Sequence, residues 1–379
     1  MRKLAIFLVF LSALTLPAGA QVSLFGLKNS LFQFALEQIS VPGELELQAE
    51  GVEDAEDGST EIIGLTVGDA EGVWLKIGRI SLNWNASRIV RGELEISRLA
   101  ASDVEVLRAP ASSSVAVEVK PDSELAETDD DPFDWPRSPI ATRIDELVAE
   151  RVNIAPNIIA AQSLAIDLTG SLKDEGDEQS AKFLITRTDD VSGRIVLDFL
   201  RDFAADRLNL TLKADEAAGG LVAELAGFPP NSASKVDLSG TGPLNDWTLS
   251  LNASADRVFD ATGNGKLNAT GPLSAQLDFT LTPGEALDPQ VAAVLSPNAK
   301  IVADIAEDAN GVIRINQGAI TARDVTLEAS GAFDQVAATL DFTLKAEARP
   351  GLADLVDGVN FQAFSFDGAA KGALDDLTV

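Results

Sequence analysis

Residues 63–110 read IGLTVGDAEGVWLKIGRISLNWNASRIVRGELEISRLAASDVEVLRAP. Within them Val73, Leu75 and Ile77 alternate with Trp74 and Lys76, and Ile80, Leu82 and Trp84 alternate with Ser81 and Asn83. Successive side chains of a strand point to opposite faces. Each run therefore predicts a strand with one apolar and one wetted face. The first run has its apolar residues at odd positions and the second at even ones. This change of phase near Arg79 predicts a bulge or a tight corner.

The same period of two recurs along the chain. Val115, Val117 and Val119 show it, as do Trp247, Leu249 and Leu251. So do Leu164, Ile166 and Leu168, then Leu208, Leu210 and Leu212, then Leu277, Phe279 and Leu281, then Leu340, Phe342 and Leu344. Between strands a Gly-small-apolar form repeats: Gly170-Ser171-Leu172, Gly242-Pro243-Leu244, Gly271-Pro272-Leu273, Gly331-Ala332-Phe333 and Gly372-Ala373-Leu374. Each is read as closing one strand and opening the next, a hairpin unit without a fixed period. Proline at two of these places suits a turn or an edge. The fold class is mainly β, and alternation alone leaves a sandwich, a closed barrel and a long open sheet as candidates.

Helical period enters at three places. Leu24, Leu27, Leu31, Phe34, Ala35 and Ile39 fall on one face, so an N-terminal amphipathic helix is expected over 21–43, ended by Pro42-Gly43. Short inserted helices are expected in Pro283–Pro297, with Leu287, Val291, Val294 and Leu295, and in Pro350–Val359, with Leu352, Leu355 and Val356. Pro121 to Pro136 is acidic and reads as a solvated loop, with its wider limits at 121–138.

The N-terminus points to export. Arg2 and Lys3 precede an uncharged apolar run from Leu4 to Leu16, then Pro17 and Ala18-Gly19-Ala20. This is the layout of a cleavable signal peptide over 1–20, with a signal anchor as the rival reading. The run is short for a bilayer span, which needs roughly 20 apolar residues. The chain holds no Cys, no His and no Tyr. Disulfides, thiol nucleophiles, His-based triads and zinc-protease sites are therefore excluded. The net charge of −30 argues against nucleic acid and anionic headgroups as partners. With 46% hydrophobic residues the chain still buries enough apolar area to fold.

Four other features read as structural. Asp129-Asp130-Asp131 lacks the Gly and distal Glu of a calcium loop and is taken as solvated. Gly263-Asn264-Gly265 does not lead from a strand into a helix and is taken as a turn. Trp74, Trp84 and Trp247 serve either as sheet anchors or as the rim of a groove. A hydrolase built on two carboxylates needs a convergent pair that the scattered acids do not specify.

Asp69, Gly72-Val73-Trp74-Leu75, Leu82-Asn83-Trp84, Gly92-Glu93-Leu94-Glu95-Ile96, Leu99 and Val104 to Pro110 together resemble the N-terminal signature of the TamB family, the translocation and assembly module subunit. A second block is similar to the same family: Gly219-Gly220-Leu221 to Gly227-Phe228-Pro229, then Leu238 to Trp247 with Gly242-Pro243-Leu244-Asn245-Asp246-Trp247. The resemblance implies an elongated β-taco, or half-open β-helix, with an apolar groove. Its segments would be a TamB-like β portion over 44–120 and continuing groove repeats over 139–379. The groove would be lined by Leu164, Ile166, Leu168, Leu208, Leu210, Leu212, Leu249, Leu251, Leu277, Phe279, Leu281, Leu340, Phe342 and Leu344.

The resemblance also implies a periplasmic setting in a Gram-negative bacterium, with inner-membrane association if the N-terminal segment is retained. It implies an outer-membrane barrel partner, TamA, and a phospholipid or a nascent outer-membrane β-barrel protein as cargo. No cofactor, metal or catalytic residue is expected. Family members are usually longer and keep an anchor, so the chain is expected to be an N-terminal portion. The other readings carried are a β-rich adhesin-like surface protein and the carboxylate hydrolase.

Overall fold

The computed structural model describes residues 45–55, 58–85, 88, 91–111, 138, 140–226, 229, 231–308, 310–334, 337–349, 363–373 and 376–378. The expected N-terminal helix, the strand at Val115–Val119, the acidic loop up to 137 and the helix at Pro350–Val359 lie outside them. The chain forms two compact units, whose described residues run from 45 to Leu200 and from Arg201 onward. Both are β structures, with two short helices among the described residues.

The first unit contains β1 (Glu46–Gln48), β2 (Gly51–Asp54), β3 (Thr60–Asp69), β4 (Gly72–Trp84), β5 (Glu93–Val106), β6 (Ala141–Ile154), β7 (Leu164–Glu175), β8 (Glu178–Arg187) and most of β9 (Gly193–Asp202). Strands β1 and β2 each pair antiparallel with β3, and β3, β4 and β5 follow in antiparallel order. Strands β5 and β6 run parallel, and β6, β7 and β8 return to antiparallel pairing. Nothing in the local pattern of β5 and β6 announced that parallel pair. Direction depends on the long connection between them.

The corner expected near Arg79 is present, and it crosses four strands. Ile63-Gly64, Gly78-Arg79, Ser102-Asp103 and Glu150-Arg151 are consecutive pairs that break the alternation. Buried residues resume on both sides: Ile62 and Leu65, Ile77 and Ile80, Ala149 and Val152. Register is kept through it, with Ile63 opposite Arg79, Arg79 opposite Ser102 and Ser102 opposite Glu150. The strands therefore bend together instead of slipping. Positive φ at Gly64 (63°), Asp103 (57°) and Arg151 (54°) supplies the bend. Arg151 binds Asp103 through Nε and Nη2 at 2.6 and 3.0 Å, and its amide donates to Asp167 Oδ1 at 2.8 Å. The guanidinium holds the Asp103 carboxyl below the usual range. A second break falls at Ser97-Arg98 and Asp145-Glu146, between buried Ile96 and Leu99 and between buried Ile144 and Leu147.

The turn from β3 to β4 is held by Asp69. This buried carboxylate accepts hydrogen bonds from both terminal guanidinium nitrogens of Arg108, from the Glu71 amide at 2.9 Å and from the Ala111 amide at 2.7 Å. The Arg108 hydrogen bonds outweigh the opposing effect of burial and lower its pKa to about 2.

The second unit is a meander. It contains β10 (Arg207–Glu216), helix α1 (Leu221–Ala226), β11 (Ser234–Pro243), β12 (Trp247–Ala255), β13 (Phe259–Asn268), β14 (Ser274–Pro283) and helix α2 (Pro289–Leu295). It continues with β15 (Ala299–Glu307), β16 (Val312–Thr321), β17 (Val325–Asp334), β18 (Thr339–Ala348), β19 (Phe364–Ala373) and β20 (Asp376–Thr378). Each strand pairs antiparallel with the next.

Helix α2 falls inside the expected segment, with Asp288 capping the amides of Gln290 and Val291. Helix α1 was not expected; Glu216 Oε2 accepts from the Val222 amide in its first turn at 2.6 Å. A longer repeat also becomes visible. Leu208-Asn209-Leu210-Thr211-Leu212, Leu277-Asp278-Phe279-Thr280-Leu281 and Leu340-Asp341-Phe342-Thr343-Leu344 lie on β10, β14 and β18, every fourth strand. Strands β10 and β14 each lead into a helix.

Three glycine readings need correction. Gly170-Ser171-Leu172 lies within β7, Gly331-Ala332-Phe333 within β17, and Gly263-Asn264-Gly265 within β13. None of them is a turn. Gly170 faces Phe183, Gly263 faces Phe279 and Gly331 faces Phe342 on the neighbouring strand; a Cβ would meet the ring first at Gly263, and at Gly170 and Gly331 both the ring and a backbone carbonyl oxygen of that strand. Glycine here makes room for an aromatic ring across the ladder. Gly242-Pro243-Leu244 and Gly271-Pro272-Leu273 do mark strand ends.

Candidate functional site

Cross-strand register in the second unit sorts the side chains into rows that run across the strands. Residues directly opposite in a ladder share a face. One row passes Leu210, Gly240, Leu249, Gly265, Leu277 and Ala303, then Gly318, Ala329, Leu344 and Gly368. Two residues along the strands, the next passes Leu212, Leu238, Leu251, Gly263, Phe279 and Ile301, then Ile320, Leu327, Ala346 and Phe366. On the other side a third passes Trp247, Leu267, Ala275, Ile305, Ile315, Gly331, Phe342 and Ala370. Leu281 belongs to a fourth, with Ala214, Val236, Ala253, Ala261 and Ala299. All these rows share one face, and it carries almost no polar atom.

This face is only partly covered. Leu208 and Trp247 are buried, and the Trp247 indole nitrogen donates to the Leu208 carbonyl at 3.0 Å. Trp247 is thus a packing anchor, lying over Gly240. Leu210, Leu212, Leu249, Leu251, Leu277, Phe279, Leu281, Leu340 and Phe342 are half-buried. Further along, Ile320, Leu327, Leu344 and Phe366 are exposed, Leu344 at 45%. Leu164, Ile166 and Leu168 belong to the first unit, on β7, where Leu164 and Leu168 are buried and Ile166 is half-buried. The first unit's apolar face contrasts with the second's: Ile62, Leu75, Ile96, Ile144 and Val152 are all buried.

The opposite face of the second unit is polar, and its lysines are matched with aspartates across the ladder. Lys213 meets Asp237 and Lys235 meets Asp215, both at 3.0 Å; Lys300 meets Asp278 at 3.0 Å and Lys345 meets Asp367 at 3.8 Å. A recess of about 900 Å³ opens on this face across β10 to β16. Its placement follows from its lining. One row contributes Asn209, Thr241, Thr248, Lys266, Gln276 and Asp304; the row beside it contributes Thr211, Ser239, Ser250, Asn264, Asp278 and Val302. The residues between those rows, Gly240 and Gly265 among them, give their backbone to the floor, while any side chain there points to the apolar face. Neither the apolar face nor this recess brings together a convergent set of catalytic groups. Among the described residues no group of three or more His, Cys, Asp or Glu is placed to hold a metal ion, and no helix is long and apolar enough to cross a membrane.

Period-two patterning pointed to the apolar rows but not to the recess. Its signal, hydroxyl and amide side chains at facing positions of six strands, is visible only when the register is known. Comparison of the chain with protein-family models, with curated proteins and with solved structures finds no match in any of the three.

Proposed function

We propose that this protein is a non-enzymatic periplasmic component of outer-membrane biogenesis, of the translocation and assembly module type, and that the apolar face of its second unit carries cargo. The observation that carries this reading is the run of half-buried and exposed Leu, Ile and Phe residues aligned across ten consecutive strands. Apolar surface of that extent on a protein with net charge −30 is unusual unless it meets a partner. Each acyl CH₂ moved onto such a face gains about 0.8 kcal/mol. A lipid tail of ordinary length is therefore held without any specific polar contact. A nascent outer-membrane strand, with its alternating apolar side chains, is the other cargo of suitable chemistry. The resemblance to the TamB family supports the setting, and an outer-membrane barrel protein such as TamA is the partner it suggests.

The test is photo-crosslinking in cells from Leu249 and Phe279, with Ser250 on the polar face as control. Phospholipid recovered from the first two positions supports a conduit. Recovery of unfolded barrel protein supports a chaperone. Equal yields from Leu249, Phe279 and Ser250 would refute cargo binding on the apolar face.

A further inference from the structure

We propose that the recess on the polar face of the second unit is a binding site for a neutral, linear oligosaccharide, lying across the strands and independent of cargo on the opposite face. The first argument is charge. The protein carries a net charge of −30, yet the charged groups of the recess and their ion-pair partners leave only one negative charge, on Asp304. Lys266 pairs with Asp246 at 3.3 Å, and Asp278 pairs with Lys300 at 3.0 Å. Asp304 accepts from Gln276 at 3.3 Å and from Asn316 at 2.9 Å. A free cation finds no uncompensated carboxylate cluster there, and an anion finds no spare cation.

The second argument is hydrogen-bonding chemistry. What remains is a field of exposed hydroxyls and amides, among them Ser239, Thr248, Ser250 and Asn264. Each of these groups both donates and accepts, as sugar hydroxyls do. Strand spacing sets them about 4.8 Å apart along a row and about 7 Å apart between rows. Seven strands give a track of about 30 Å, which suits an extended polymer better than a single small molecule.

The third argument removes the rival occupants. Val302 is the only apolar side chain in the two lining rows, so the recess offers no apolar side-chain pocket to anchor an acyl chain or an apolar peptide. Strands β11 to β15 are hydrogen-bonded on both sides, so a peptide cannot join them as an extra strand. The site's shape has a side-chain cause as well. Short Ser and Thr residues line it on β10 to β12, while Lys213 and Lys300 stand in the row alongside. The lining rows contain no aromatic platform, so weak, millimolar-range binding is expected.

The experiment is saturation-transfer NMR on the whole chain with the hexamer of β-1,4-linked N-acetylglucosamine, which is neutral and carries both hydroxyl and amide groups. Transfer to the hexamer is expected, with apparent affinity reduced about tenfold or more by either Ser250→Arg or Thr248→Lys. Both positions are exposed, and unchanged urea unfolding of each variant shows that the fold is intact. Oleate should not displace the sugar. Absence of transfer, transfer that neither variant weakens, or displacement by oleate would each overturn the proposal. The apolar-face reading is tested separately by crosslinking from Leu249 and Phe279, so the two succeed or fail independently.

Discussion

Gly240→Ala should destabilise the protein by about 3 kcal/mol, against the direction that backbone propensity gives. Gly240 lies within β11, and its φ is not in the left-handed region. Replacing glycine by alanine in an ordinary strand position gains roughly 0.5–1 kcal/mol from the unfolded chain's lost freedom. At this position the Trp247 indole occupies the space a methyl group would need. Trp247 is 3% exposed, and its indole N–H donates to the Leu208 carbonyl, itself part of a fully buried residue. A ring pushed to half exposure loses about 100 Å² of buried area, which is about 2.5 kcal/mol. Breaking the indole hydrogen bond inside the sheet costs about 1 kcal/mol more. The propensity gain offsets part of this total.

The assay is urea unfolding of the whole chain, followed by circular dichroism and by tryptophan emission. The emission should shift to the red in the native state. A double-mutant cycle isolates the cause. In a Trp247→Leu background, where a smaller and more flexible side chain faces position 240, the added methyl should cost less than about 1 kcal/mol. Gly51→Ala is the control, because nothing lies within 4 Å of a Cβ built there; it should be neutral or stabilising. If Gly240→Ala is neutral or stabilising and the emission is unchanged, the roofing of glycine by an aromatic ring does not anchor this sheet.

Two further outcomes concern electrostatics. Asp69 has a folded pKa lowered to about 2 from 3.8, so the stability it contributes is present above pH 3.8 and is lost as pH falls toward 2. Asp69→Asn should flatten that acid limb of the stability curve and leave the buried end of the β3–β4 turn less stable at neutral pH, both read by urea unfolding against pH. Most cross-strand ion pairs here are exposed, Lys213–Asp237 and Lys235–Asp215 among them, and contribute little each. A net charge of −30 repels itself more than those pairs attract. Sodium chloride added to about 1 M, where the Debye length is about 3 Å, should therefore raise the melting temperature; a fall would mean that the ion-pair ladders dominate.

Much of the apolar face was legible beforehand because a strand writes its two faces into alternate residues. Leu277-Asp278-Phe279-Thr280-Leu281 needs no partner strand to show which side chains go together. The corner near Arg79 was legible for the same reason, as a change of phase between Ile77 and Ile80. What alternation does not contain is register, because register joins residues far apart in the chain. It decides that Gly240 lies under Trp247 and that Gly263 faces Phe279, so that a glycine which looks like a turn sits inside a strand. It also decides that Ser239, Ser250 and Asn264 form one polar row, and that β5 and β6 run parallel. The sequence by itself determined that this protein is mainly β, acidic and without His or Cys chemistry. Only the tertiary structure decided which residues meet across the ladder, because backbone hydrogen bonding between strands is indifferent to side chains until packing over each glycine and at each corner selects a single alignment.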